Sequence, residues 1–237
     1  MKTILFQGDS ITDCGRYRAA SDKKQESVAL FRDGKLIKKI TALGDGYPAM
    51  VTAELKEKYP GKYNYINRGV GGDRIPDVYA RIVKDIINIK PDYMSLLRGV
   101  NDVWRNFDFD RNATGPVRFE KVYNILLEEL KEEFPELKIM LMGAFALPGS
   151  ATADRPDQPD RNKQFTSGVA EMADITKKLA DKHGCVFVDL QAMFDEALKT
   201  IPASELSGDG VHPTAKGHEL IKNEWLKAFS KLTEGEV

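Results

Sequence analysis

Apolar and polar positions fall into two alternating rhythms along this chain. Five short apolar runs, Thr3 to Phe6, Tyr63 to Ile66, Tyr93 to Leu97, Lys138 to Met142 and Cys185 to Val188, have the length of buried strands. Between them the apolar residues recur three and four apart. Phe119, Val122, Tyr123, Leu126, Leu127 and Leu130 form one such helical face. Phe165, Val169, Met172, Ala173, Thr176, Leu179 and Ala180 form a second, and Leu220, Ile221, Trp225, Ala228, Phe229 and Leu232 a third. A β/α alternation of this kind predicts a mostly parallel sheet of about five strands with helices on both faces. Ligands then bind beyond the carboxyl ends of the strands.

Two segments interrupt the rhythm. Residues 20 to 43 are charge-rich and hold two apolar runs around Asp33-Gly34, which predicts an inserted β-hairpin near residues 28–37, on the side of Ser10. It would wall a pocket, meet another subunit or be a solvated excursion. Leu147 to Asn162, with three prolines after the fourth strand, reads as a long loop, and loops of that length in a compact domain are usually functional or mobile.

Composition narrows the classes. With 237 residues and 42% hydrophobic content, residues 1–237 are expected to form a single domain with one sizeable core. Thirty-five basic against thirty-six acidic side chains give a net charge of −1, and no like-charged block is long enough to follow a phosphate backbone, so nucleic acid is not an expected partner. The N-terminal apolar run is too short for a signal-peptide core and no segment has the length of a membrane span, so a cytoplasmic protein without a membrane partner is expected. Cys14 and Cys185 are the only cysteines and neither has a partner at metal spacing, which supports neither a disulfide framework nor a zinc site. Cys14 is read as a bystander thiol.

Chemistry collects at the ends of the apolar runs. Gly8-Asp9-Ser10-Ile11-Thr12 feeds a strand into a tight turn and a helix N-terminus, a geometry that presents a hydroxyl beside outward backbone N–H groups; helix capping by Asp9, Ser10 and Thr12 is the alternative. Asn67 to Asp73 holds three glycines without a phosphate-loop pattern. Gly99-Val100-Asn101-Asp102 places at a sheet edge an Asn able to offer a side-chain N–H to an oxyanion, with an Asx-turn as the alternative. Of the three histidines, His183 precedes Gly184 at a helix end and His218 lies within a helical pattern. His212 lies in a loop three residues after Asp209, close enough for that carboxylate to hold Nδ1–H and leave Nε2 for a serine. Its six-residue distance from His218 fits no common zinc pattern.

Gly8 to Thr12, Gly69 to Gly72, Gly99 to Asp102 and Asp209 to Pro213 together resemble the four sequence blocks of the SGNH hydrolases, also called the GDSL esterases, in family order and across almost the whole chain. The wider match at residues 8–16 and 99–104 is similar to the branch holding intracellular acetylxylan esterases. This resemblance implies a flavodoxin-like three-layer αβα sandwich and no metal or organic cofactor. It implies that Ser10 is the nucleophile, His212 the base and acid, and Asp209 its orienting carboxylate, with an oxyanion hole made by the backbone N–H groups of Ser10 and Gly72 and the amide of Asn101. The implied substrate is a small acyl ester, an acetylated sugar such as an acetylated xylo-oligosaccharide, and a homo-oligomer is plausible by resemblance alone. Asp9, Trp104 and Arg98 are candidate substrate contacts; Trp104 either stacks on a sugar face or simply packs. Arg98 stands where a small or apolar residue is expected before Gly99. A cation there either disturbs the buried strand or sits close to the oxyanion site, or packs its stem while its head reaches a carboxylate or solvent. A broad short-chain esterase, thioesterase or lysophospholipase is the alternative within hydrolases. A carbohydrate-binding protein that retains the triad without turnover is the alternative outside them.

Overall fold

A computed structural model describes residues 1–18, 27–32, 35–108 and 111–234. The strands are β1 (Lys2–Gly8), β2 (Ser27–Arg32), β3 (Lys35–Thr41), β4 (Tyr63–Asn67), β5 (Tyr93–Leu97), β6 (Lys138–Met142) and β7 (Val186–Val188). The helices are α1 (Ser10–Asp13), α2 (Tyr47–Lys58), α3 (Ile75–Tyr79), α4 (Ile82–Asp85), α5 (Val100–Trp104), α6 (Pro116–Glu133), α7 (Arg161–His183), α8 (Leu190–Leu198), α9 (Ala203–Leu206) and α10 (Ala215–Leu232). Every expected strand and amphipathic helix is present. Among the described residues no helix is long and apolar enough to cross a membrane.

Five strands form one parallel sheet in the order β4-β1-β5-β6-β7. In chain order this is second, first, third, fourth, fifth, the flavodoxin-like arrangement whose strand order reverses between the first and third strands. All five positions of β5 are buried, as expected where helices cover both faces of a sheet. On one side α2 packs with α10, and on the other α6 packs with α3 and α7. An aromatic column ties β1 to α10, with the rings of Phe6 and Trp225 5.3 Å apart and those of Trp225 and Phe229 4.9 Å apart.

Helix ends follow local chemistry. Proline opens α6, Gly184 in the left-handed region closes α7, and the Thr214 hydroxyl accepts the Gly217 N–H at the start of α10. The loop after β6 is shorter than expected, because α7 already begins at Arg161. Asp154 within the loop accepts the Asn162 N–H at 2.8 Å and so satisfies the first turn. β2 and β3 pair antiparallel in a separate two-stranded sheet, as expected for the hairpin, with a register shift between Leu30 and Phe31. The expected turn at Asp33-Gly34 lies outside the described residues.

Trp225 is 0% exposed at the centre of the aromatic column. Trp225→Ala is expected to lower stability by about 3–5 kcal/mol in urea unfolding, and a loss under ~1 kcal/mol would mean the column is not a core element.

Candidate active site

The carboxyl ends of β1 and β5 lie side by side, with Gly8 opposite Leu97, and two residues beyond these the chain reaches Ser10 and Gly99. Asp9 caps α1 by accepting the Ile11 N–H at 3.0 Å, so the capping role is real and coexists with a presented Ser10. Gly8 is required by the tightness of this turn, since a Cβ there would lie 1.9 Å from the Thr12 hydroxyl. Tyr47 meets that hydroxyl at 2.9 Å from α2.

The loop after β4 is fastened to α1 by side chains. Asn67 donates to the Thr12 carbonyl at 2.7 Å and to the Leu43 carbonyl at 2.9 Å, and accepts the Gly69 N–H at 2.8 Å. Asp13 accepts the Gly71 N–H at 3.0 Å. Gly72 then turns with φ +85°, a left-handed conformation that favours glycine. From the third strand end, Asn101 donates through Nδ2 to the Asp73 carbonyl at 3.2 Å, which brings its amide beside Gly72. Among the described residues the backbone N–H groups of Ser10 and Gly72 have no hydrogen-bond acceptor.

Ser207 to Pro213 complete the arrangement. His212 Nε2 lies 2.9 Å from Ser10 Oγ, 202 positions away in the chain, and Nδ1 lies 2.7 Å from Asp209 Oδ2. Burial alone would raise the Asp209 carboxyl, but the backbone N–H and ring of His212 and the Val211 N–H outweigh it and hold it below its ordinary value. An ionised Asp209 keeps the proton on Nδ1 and leaves Nε2 as the acceptor for the serine proton. Trp104 stands 6.0 Å from the His212 ring and packs edge-on against Phe165. The His212 side chain is 47% exposed among the described residues, so the reacting atoms face outward.

Two expected substrate contacts are corrected. Asp9 and Arg98 are both 0% exposed, beneath the loop backbone, and offer no surface to a ligand. The Arg98 head turns inward, 3.7 Å from the Asp73 carboxylate, as expected if its stem packs. Asp102 is also buried; burial pushes its carboxyl up to about 6, and its Oδ1 accepts the Ile75 N–H at 3.0 Å. His183 ends α7 and meets Asn124 at 2.9 Å, away from this group. Among the described residues no three His, Cys, Asp or Glu side chains converge as a metal-holding set.

Sequence reading gave no role to Gly149. A Cβ there would lie 2.1 Å from the Asp209 carbonyl carbon and 2.2 Å from the Gly210 nitrogen, so the loop after β6 braces the Asp209 turn backbone to backbone. The Ala151 N–H, 2.9 Å from the Asp209 carbonyl, ties the two together.

Residues 6–220 match the sequence profile of the GDSL-like lipase/acylhydrolase family. The acetylxylan esterase of Geobacillus stearothermophilus is 33% identical over 226 residues, which cover 94% of this chain and 92% of that protein. The crystal structure of an acetylxylan esterase from that organism superposes with a TM-score of 0.75 at 31% identity, covering 96% of this chain and 93% of that one. An alpha/beta hydrolase enzyme from the metagenome of Lake Arreo, Spain, gives a TM-score of 0.77 at 29% identity over 98% of this chain and 96% of its own. Two further structures of the Geobacillus esterase are catalytic mutants, one with a histidine and one with a serine replaced by alanine.

Two outcomes follow from the geometry. Gly149→Ala is expected to lower stability by about 1–3 kcal/mol and to broaden or remove the proton NMR signal of His212 Nδ1–H, because only backbone stands in the way of the new methyl. An unchanged signal and midpoint would show that the brace yields freely. Asp209 has a lowered folded-state pKa, so its stabilisation is complete above the ordinary carboxylate value of about 4 and is lost as pH falls through its own lower value. The stability difference between the native chain and Asp209→Asn should therefore shrink as pH falls below about 4; a difference that keeps growing below that value would contradict the sign.

Proposed function

The chain belongs to the GDSL-like lipase/acylhydrolase family and is a carboxylic ester hydrolase, and we propose that it removes acetyl groups from carbohydrate esters such as acetylated xylo-oligosaccharides through Ser10, His212 and Asp209. The observation that carries this reading is the unbroken line from Ser10 Oγ to His212 Nε2 at 2.9 Å and from Nδ1 to Asp209 Oδ2 at 2.7 Å. The acetyl-sugar preference rests on the acetylxylan esterase that matches across 94% of the chain, and on Trp104 beside His212, where an indole face can meet a sugar ring. Residues 1–237 act as one domain in this reading.

Ser10 Oγ attacks the ester carbonyl carbon as His212 Nε2 takes its proton. The carbonyl oxygen becomes an oxyanion held by the N–H groups of Ser10 and Gly72 and by the Asn101 amide. The bond to the sugar oxygen then breaks, that oxygen receives the proton from His212, and acetyl-Ser10 remains. A water molecule deprotonated by His212 attacks the acetyl carbonyl, and collapse of the second oxyanion returns the proton to Ser10 and releases acetate. Asp209 holds one tautomer throughout and offsets the charge of the imidazolium.

Acetate release from 4-nitrophenyl acetate and from acetylated xylo-oligosaccharides tests both levels of this reading. Ser10→Ala should abolish release from both substrates, while Asn101→Ala should lose about 10²- to 10³-fold in kcat and remain above Ser10→Ala. Release from the small ester alone would replace the sugar assignment with a broad short-chain esterase. Undiminished release by Ser10→Ala would remove Ser10 as nucleophile.

A further inference from the structure

Arg98 continues β5 by one residue and is 0% exposed, a large cation enclosed behind the reacting groups. Its Nη2 donates to the Gly8 carbonyl at 2.5 Å and reaches Gln7 Oε1 at 3.4 Å, while Nη1 donates to the Asp73 carbonyl at 3.2 Å. These acceptors are not scattered. Gly8 stands two residues before Ser10, Asp73 directly follows Gly72, and Arg98 itself stands three residues before Asn101. The Asp73 carbonyl also accepts the Asn101 amide at 3.2 Å, so guanidinium and amide share one seat. The Gly8 carbonyl is shared likewise, with the Val70 N–H at 2.9 Å.

We infer that Arg98 is a positioning residue for ester hydrolysis, a planar fork that locks the three loops bearing the Ser10, Gly72 and Asn101 donors into one rigid oxyanion site. The inference rests on the role proposed above for those donors. A guanidinium suits this task because its N–H groups leave in one plane at fixed angles, so it can hold two backbone carbonyls from different loops at once. An ammonium would hold them as a point charge, and an apolar side chain would hold neither. The cost of burying the charge is offset by Asp9, Asp73 and Asp102, all of which favour the charged form electrostatically. Asp73 is held from the other side by Arg81, so the loop that supplies Gly72 is clamped between two cations. Removal of the fork leaves the donors in place but free to shift, and a misplacement of about 1 Å in a catalytic group costs about 10²-fold in rate.

The test measures 4-nitrophenyl acetate hydrolysis by Arg98→Met, Arg98→Lys, Asn101→Ala, the double variant Arg98→Met/Asn101→Ala and Ser10→Ala. Stoichiometric phosphonylation of Ser10 by a 4-nitrophenyl phosphonate counts competent sites, so a smaller folded fraction cannot imitate a slower site. Per titrated site, Arg98→Met should lose about 10²-fold in kcat with KM within about 3-fold, and Arg98→Lys should recover part of the loss. The double variant should lose less than the product of the single losses, because both side chains act through the Asp73 carbonyl. Wild-type kcat per site in Arg98→Met, or strictly multiplicative losses, would overturn the inference. Lack of any titratable site in both single Arg98 variants would overturn it as well, by making Arg98 a folding residue. Failure of Ser10→Ala to abolish hydrolysis would instead refute the nucleophile assignment, a result read independently of Arg98.

Discussion

The site exists because the sheet reverses its strand order between β1 and β5. The chains leaving these two neighbours run to opposite sides, α2 following β1 and α6 following β5, and their backbone N–H groups at the shared edge have no further strand to bond. The register of that pair fixes what faces what. Gly8 opposite Leu97 sets side by side the strand ends that lead to Ser10 and Asn101, and a one-residue slip would exchange the sheet faces of every side chain on β5. Such a slip is opposed by the core itself, since Tyr93 to Leu97 are buried on both faces.

Around that edge the loops approach each other more closely than side chains allow. Gly8 abuts the Thr12 side chain, Gly69 the backbone of Asp13, and Gly149 the backbone of Asp209. Backbone at such distances must have its polar groups satisfied locally, and three side chains perform much of that work: Asn67 for the first two loops, Asp13 for the Gly71 turn, and Arg98 for the carbonyls behind the donors. Buried charge is acceptable there because cation and carboxylates are enclosed together. Asp9, raised by burial, and Arg98, lowered by burial, each moderate the shift of the other.

Legibility in the sequence tracked the range of the interaction. The strands and long helices were readable because periodicity is local, and the Asp209–His212 pair was readable because both members lie in one turn of four residues. Ser10 was readable for its strand-turn-helix setting, although its contact with His212 spans 202 positions. Arg98 was legible only in part. A packed stem with its head on a carboxylate was among the readings, but its acceptors are also backbone carbonyls 90 and 25 positions away, and a carbonyl has no sequence signature, so the residue could equally look like an intrusion near the oxyanion site or a substrate contact. The brace at Gly149 was equally hidden, since it consists of one backbone against another. Asn162 was assigned to a loop because the Asp154 carboxylate that caps its helix lies eight residues upstream, outside the usual capping spacing.

Two histidines near the site show how surroundings rather than residue type set what an imidazole can do. His218 lies on α10 with Nδ1 accepting the Tyr47 N–H at 3.3 Å, which places its remaining proton on Nε2, facing Cys14 Sγ at 3.5 Å. Burial pushes its pKa down to about 4, so at neutral pH it is an uncharged donor fixed in place. Such a group can orient Cys14 and the start of α2 but cannot accept and return a proton each turnover. His212 has the opposite arrangement, a carboxylate on Nδ1, a hydroxyl on Nε2 and solvent on its open side. The same side chain is thus an enclosed pin at one position and, six residues away, a solvent-facing link between a carboxylate and a hydroxyl, and what separates the two is which partner occupies Nδ1.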